Sequence, residues 1–165
     1  MQDRVRIGGI REHVRVRRIR RASWLSWLSV FAFASVAGPA FARNDILDVE
    51  VERAKEFRGR RSVLEMPFYL RGQSTPEIVE TIQTMSTRKV TRGFGRSDLH
   101  ACSIAFQSAV IQLQERAFSI GANAVVDVVS VVDGRVVEFP DRFRCVVGDM
   151  IARVSLSAKA VKIEE

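Results

Sequence analysis

Three side chains able to do chemistry sit within five positions of one another: Asp98, His100 and Cys102. A carboxylate, an imidazole and a thiol at such spacing are ingredients of a metal site or an activated nucleophile. On a helix, however, residues two apart do not face each other. If this stretch is helical the three cannot converge on one atom, and His100 is expected to point to solvent without an acid–base partner. Just upstream, Arg88, Lys89, Arg92, Gly93, Gly95, Arg96 and Ser97 put four cations and two glycines ahead of a capping serine. Such a composition suits a small-anion site at a helix N-terminus. Without G-x-x-x-x-G-K-[ST] it is no nucleotide-binding P-loop. Arg92-Gly93-Phe94-Gly95 also opens like an RNA-binding RNP1 segment, but Arg96-Ser97-Asp98-Leu99 replaces the aromatic residues that would stack on bases. No catalytic set, metal set or cofactor motif is read from the sequence, and the anion loop is its one candidate ligand site.

Charge then asks what kind of partner to expect. The chain has 165 residues and a net charge of +7, which alone points towards nucleic acid. Most of that excess lies at the start: the first 42 residues hold eight arginines against Asp3 and Glu12, whereas the remainder balances 18 basic with 17 acidic side chains. Directly after Arg21 comes an apolar run over residues 24–37, interrupted only by serines, then Gly38-Pro39 and Ala40-Phe41-Ala42. A basic arm, an apolar stretch and small residues at −3 and −1 form a secretory signal peptide. The expectation is a Sec-type signal over residues 1–42, cleaved after Ala42, and a periplasmic or secreted product. The apolar run falls short of the ~20 residues of a membrane span. No cysteine adjoins the cleavage point, so neither a stable membrane anchor nor a lipid anchor is expected. Nucleic acid drops out as a partner.

Only Cys102 and Cys145 are available for pairing. In an oxidising compartment an even count favours a disulfide, and only one pairing exists. Two buried free thiols, or one reactive thiol at a helix start, are the alternatives. Zinc is disfavoured, because C-x-x-C is missing and His100 is the single histidine after residue 42.

The elements that must position these groups follow from periodicity. Residues 43–61 form a charged N-terminal segment in which Val51, Ala54 and Phe57 fit a short amphipathic helix, and residues 62–165 form a single domain. Leu64, Met66, Phe68 and Leu70 alternate on one face of a strand over residues 63–71, and Pro67 points to a sheet edge or bulge. Residues 77–91 are ambiguous. Ser74 and Glu77 resemble a capping box, yet the threonines and Val90 favour a strand in the later half. Residues 97–120 read as one long helix, capped by Ser97 and ended by Gly121, with Leu99, Cys102, Phe106, Ala109, Leu113, Ala117 and Ile120 on one face. A β-branched run over residues 124–132 suits a strand buried on both sides. Asp133-Gly134 turns it into a strand over residues 135–139. A last segment, 143–161, alternates Met150, Ala152, Val154, Leu156 and Ala158 against Arg153, Ser155, Ser157 and Lys159, with Gly148 expected to mark a bulge. The fold class expected is α+β: a small antiparallel or mixed sheet of four to five strands with one long helix across one face.

Several of these residues also carry a resemblance. Ser97-Asp98-Leu99-His100-Ala101-Cys102-Ser103-Ile104-Ala105-Phe106, the L-Q-E-R-A segment at 113–117, Gly121-Ala122-Asn123-Ala124-Val125-Val126 and Cys145-Val146-Val147-Gly148 resemble motifs of a family of small exported proteobacterial proteins. Phe68-Tyr69-Leu70-Arg71-Gly72 looks like that family's aromatic strand. Its members often bear the label excinuclease ATPase subunit, which the missing Walker motif and zinc-finger cysteines mark as a transferred error. More distantly the order of cysteine, helix, G-A-N-A-V strand and cysteine resembles the stress-sensor lipoprotein RcsF and the YbjQ-like domains. That resemblance implies a helix on a small sheet with a disulfide near the helix start. RcsF has two cysteine pairs and a lipid anchor, neither of which is read here, so its sensing role does not transfer.

The functional expectation is an exported, non-enzymatic binding or envelope-interaction module whose partner is an unknown envelope protein or ligand. A small-anion or metal-binding module built on the basic glycine loop is the alternative.

Overall fold

A computed structural model of the chain describes residues 43–57 and 66–164. The signal-peptide reading, with Ala40 and Ala42, lies outside the described residues, as do residues 63–65 of the expected strand. The elements run β1 (Asp45–Glu50), α1 (Val51–Lys55), β2 (Phe68–Leu70), β3 (Ile78–Arg92), α2 (Asp98–Ser119), β4 (Ala124–Val132), β5 (Arg135–Val137), β6 (Arg142–Val147) and β7 (Ile151–Ile163). They form the expected α+β fold, but the sheet has seven strands rather than four to five.

The path through the sheet is β1-β6-β7-β4-β2, with β3 on the other side of β7 and β5 continuing from β4. It is mixed, because β2 pairs with β4 in parallel while the other pairings are antiparallel. Two strands account for the larger count. Asp45–Glu50 looked like a charged segment because two of its outward positions are acidic; Asp48 and Glu50 stand opposite Arg144 and Arg142, and the strand turns Leu47 and Val49 to the core. The long last segment is a hairpin, not a bulged strand. Gly148 donates its N–H to the Ile151 carbonyl at 2.8 Å and so ends β6. A Cβ on Gly148 would stand 3.1 Å from the Arg43 carbonyl oxygen, which favours glycine there. Register shifts fall elsewhere, in β3 between Ile78 and Glu80 and between Thr81 and Gln83, in β2 between Phe68 and Leu70, and in β4 between Val126 and Val129, where Asp127 has φ of 55°.

Why α2 forms is plain from its sequence. Ser97 has extended backbone and its hydroxyl accepts from the His100 N–H at 3.3 Å, an N-cap bond, while Gly121 at φ of +80° provides the left-handed residue after the last turn. Cys102, Phe106, Ala109, Leu113 and Ala117 are buried against Ala152, Val154, Leu156, Ala158 and Ala160 of β7. Ile120, expected on this face, is exposed. Phe106 stacks on Phe143 of β6 with centroids 4.0 Å apart. The helix is covered on a second side as well, since α1 and Met66 lie along it. Gln107 donates to the Ala54 carbonyl at 2.6 Å and Gln114 to the Met66 carbonyl at 2.6 Å, so these polar residues are buried with partners.

Cys102 and Cys145 form a disulfide, S–S 2.03 Å and Cα–Cα 5.8 Å, which ties the first turns of α2 to β6. β4 is buried on both faces as its composition required. Val125 and Val128 face the main core, whereas Ala124 and Val126 join Val161 in a second apolar cluster with Tyr69 and Ile163. Asp133 and Gly134 both have positive φ, 50° and 75°, as a two-residue hairpin turn demands.

Candidate functional site

The seven residues of the expected anion loop do not gather at one point. Along β3 the side chains alternate between faces. Thr87 reaches α2 through a hydrogen bond to Gln112, so Lys89 and Thr91 lie on the helix side, and Arg88 and Arg92 on the other. The helix start is already served from within the chain. The Ser97 hydroxyl and carbonyl accept from the His100 and Ala101 N–H groups, and the Arg43 guanidinium binds the Asp98 carboxylate at 2.6 Å. Hydrogen bonding to Asp98 first, and then to Asp45, raises the Arg43 pKa further above its ordinary value. An anion at this N-terminus would meet the Asp98 carboxylate.

Asp98, His100 and Cys102 are directed to three different partners. Asp98 binds Arg43, Cys102 binds Cys145, and His100 is half-buried with its ring stacked on Phe57 at 5.0 Å. The last differs from the expected solvent-facing position, because α1 delivers Phe57 alongside α2; sequence spacing carries no sign of that contact. Among the described residues no group of three His, Cys, Asp or Glu side chains is placed to hold a metal ion.

What does assemble is a tip at one end of the β3–β7 ladder. Arg92 stands opposite Ile151 in register, and beyond this pair the Gly93 N–H donates to the Met150 carbonyl at 2.8 Å. That bond holds the loop between β3 and α2 against the loop between β6 and β7. Gly95 has φ of +74°, and the turn is closed by Arg96 N–H to the Gly93 carbonyl at 3.0 Å. The Arg96 side chain also donates to the Arg92 carbonyl at 3.1 Å. Between these two arginines Phe94 is 79% exposed and Met150 62%, with Ile151 beside them. Together Arg92, Phe94, Gly95, Arg96, Met150 and Ile151 line an open groove of about 640 Å³. Sequence reasoning found its arginines and glycines. It missed Met150, which the alternation assigned to the core face and which sits instead in the turn.

Comparison with protein families, with curated proteins and with solved structures finds no match for the chain. Among the described residues no helix is long and apolar enough to cross a membrane.

Proposed function

We propose that the protein is an exported, non-enzymatic binding module that docks an envelope partner through the tip formed by Arg92–Arg96 and Met150–Ile151. The observation carrying this reading is the exposure of Phe94 and Met150 between two arginines. A large aromatic ring and a thioether held in water gain free energy when a partner covers them. Flanking guanidiniums steer and orient an acidic rim around such an apolar contact. The tip also rests on a firm base, since the Gly93–Met150 bond joins its two loops and the disulfide lies in the core behind α2. A buried disulfide accords with an oxidising compartment, as the leader sequence implies.

The test begins with location and then removes charge. The chain tagged at its C-terminus is expected in the periplasmic or secreted fraction. There R92E/R96E should abolish a crosslinked complex that R135E, a charge reversal on β5, leaves intact. A cytoplasmic protein, or a complex equally sensitive to both changes, contradicts the proposal.

A further inference from the structure

The face of the sheet opposite α2 holds a second, independent feature. Three cations of this face have carboxylate partners. Arg144 binds Asp48 at 2.7 Å and Lys159 binds Asp127 at 2.8 Å, while Arg142 lies 3.5 Å from Asp141. Among the described residues Arg88 and Arg153, like Arg92 of the tip and Arg135 of β5, make no ion pair. Register puts them on one face as diagonal neighbours: Arg88 is opposite Ser155, and Arg153 is opposite Val90 on β3 and Val146 on β6. Like charges so placed on adjacent strands repel each other.

Both line a groove of about 320 Å³, with Ser155 between them and with Val131, Val132, Asp133 and Gly134 from the end of the β4–β5 hairpin, Val146 closing the remaining wall. Its volume is at the lower end of small-molecule sites. Two guanidiniums offer forked donors suited to a carboxylate. Ser155 adds a hydroxyl donor, and the valines give an apolar wall. Asp133 on the rim disfavours a ligand with two or more negative charges.

We propose that this groove binds a small monocarboxylate with an apolar body, the carboxylate between Arg88 and Arg153 and the apolar part against Val131, Val132 and Val146. This site shares no lining residue with the docking tip and stands or falls apart from it.

Benzoate is a suitable probe of this chemistry, read by amide chemical shifts of the isotope-labelled protein. Saturable shifts are expected at Arg153, Ser155 and the 131–134 hairpin end. Affinity should fall about tenfold or more, ~1.4 kcal/mol or more, in R88Q/R153Q, and stay unchanged in R92Q/R96Q. Arg88 is exposed and Arg153 half-exposed, and an unchanged spectrum away from the groove confirms that the variant is folded. Shifts that never saturate, equal binding by R88Q/R153Q, or inorganic phosphate binding more tightly than benzoate would each overturn the assignment.

Discussion

Opening the Cys102–Cys145 bond is expected to remove a large part of the stability of this fold. The two residues are separated by 43 positions, and that loop takes in most of α2, all of β4 and β5, and the start of β6. Closing a loop of that length restricts the unfolded chain by about 4 kcal/mol in the chain-entropy account. Against the ~5–15 kcal/mol that holds a domain of this size together, this is a substantial share. Both cysteines are fully buried, so C102A/C145A also removes sulfur atoms from contact with the core, and the loss adds to the entropic term. Urea denaturation of the oxidised protein, the protein reduced with dithiothreitol and the double variant measures the effect. With a slope of roughly 1.5 kcal/mol/M, the midpoint should drop by about 2–3 M on reduction. A drop worth less than about 1 kcal/mol would refute the loop argument. So would two titratable thiols in the untreated protein isolated from an oxidising compartment.

Three other outcomes follow from local geometry. Hydrogen bonding from Arg144 holds the Asp48 carboxyl below its ordinary pKa. The folded state therefore keeps this proton off more firmly than the unfolded state. Its contribution is fully present above the unfolded carboxylate value of about 4 and is lost as pH falls through the lower folded value; denaturation midpoints from pH 2 to 6 should show D48N less stable than the wild type at pH 6, with the difference shrinking as pH falls. Ser97→Ala removes the side-chain acceptor for the His100 N–H and should cost about 1 kcal/mol by thermal or chemical denaturation, with Ser97→Asp recovering most of the loss. Phe106→Ala, which removes the ring stacked on Phe143, should cost about 3–5 kcal/mol in the same assay, whereas Phe94→Ser at the exposed tip should change stability by less than ~0.5 kcal/mol.

The parts of this fold legible in the sequence are those where one physical signal acts alone. The capped, three-and-four spacing of residues 97–121 specified α2. The β-branched run specified β4, and Asp133-Gly134 specified its turn. β1 was not legible, because its outward Asp48 and Glu50 have their partners, Arg144 and Arg142, in a strand nearly a hundred residues away. Nor was the burial of Gln107 and Gln114, which is tolerable only because backbone carbonyls from Ala54 and Met66 meet them. The basic residues at 88–97 are neighbours along the chain but not in space. Strand alternation sends Lys89 to the opposite face from Arg88 and Arg92, and Ser97 is committed to the helix. Register, which composition does not encode, is what placed Met150 beside Phe94 and Arg153 beside Arg88.

The docking claim is tested most directly by placing a photoreactive amino acid at position 94 of the full chain within its native cells, with position 79 as the control. Val79 is 65% exposed near the other end of β3 and is not part of the tip. A discrete adduct from position 94, missing from position 79 and abolished by R92E/R96E, is the predicted result. Equal labelling from both positions, or no adduct from position 94 in a protein shown to be exported and folded, would contradict it.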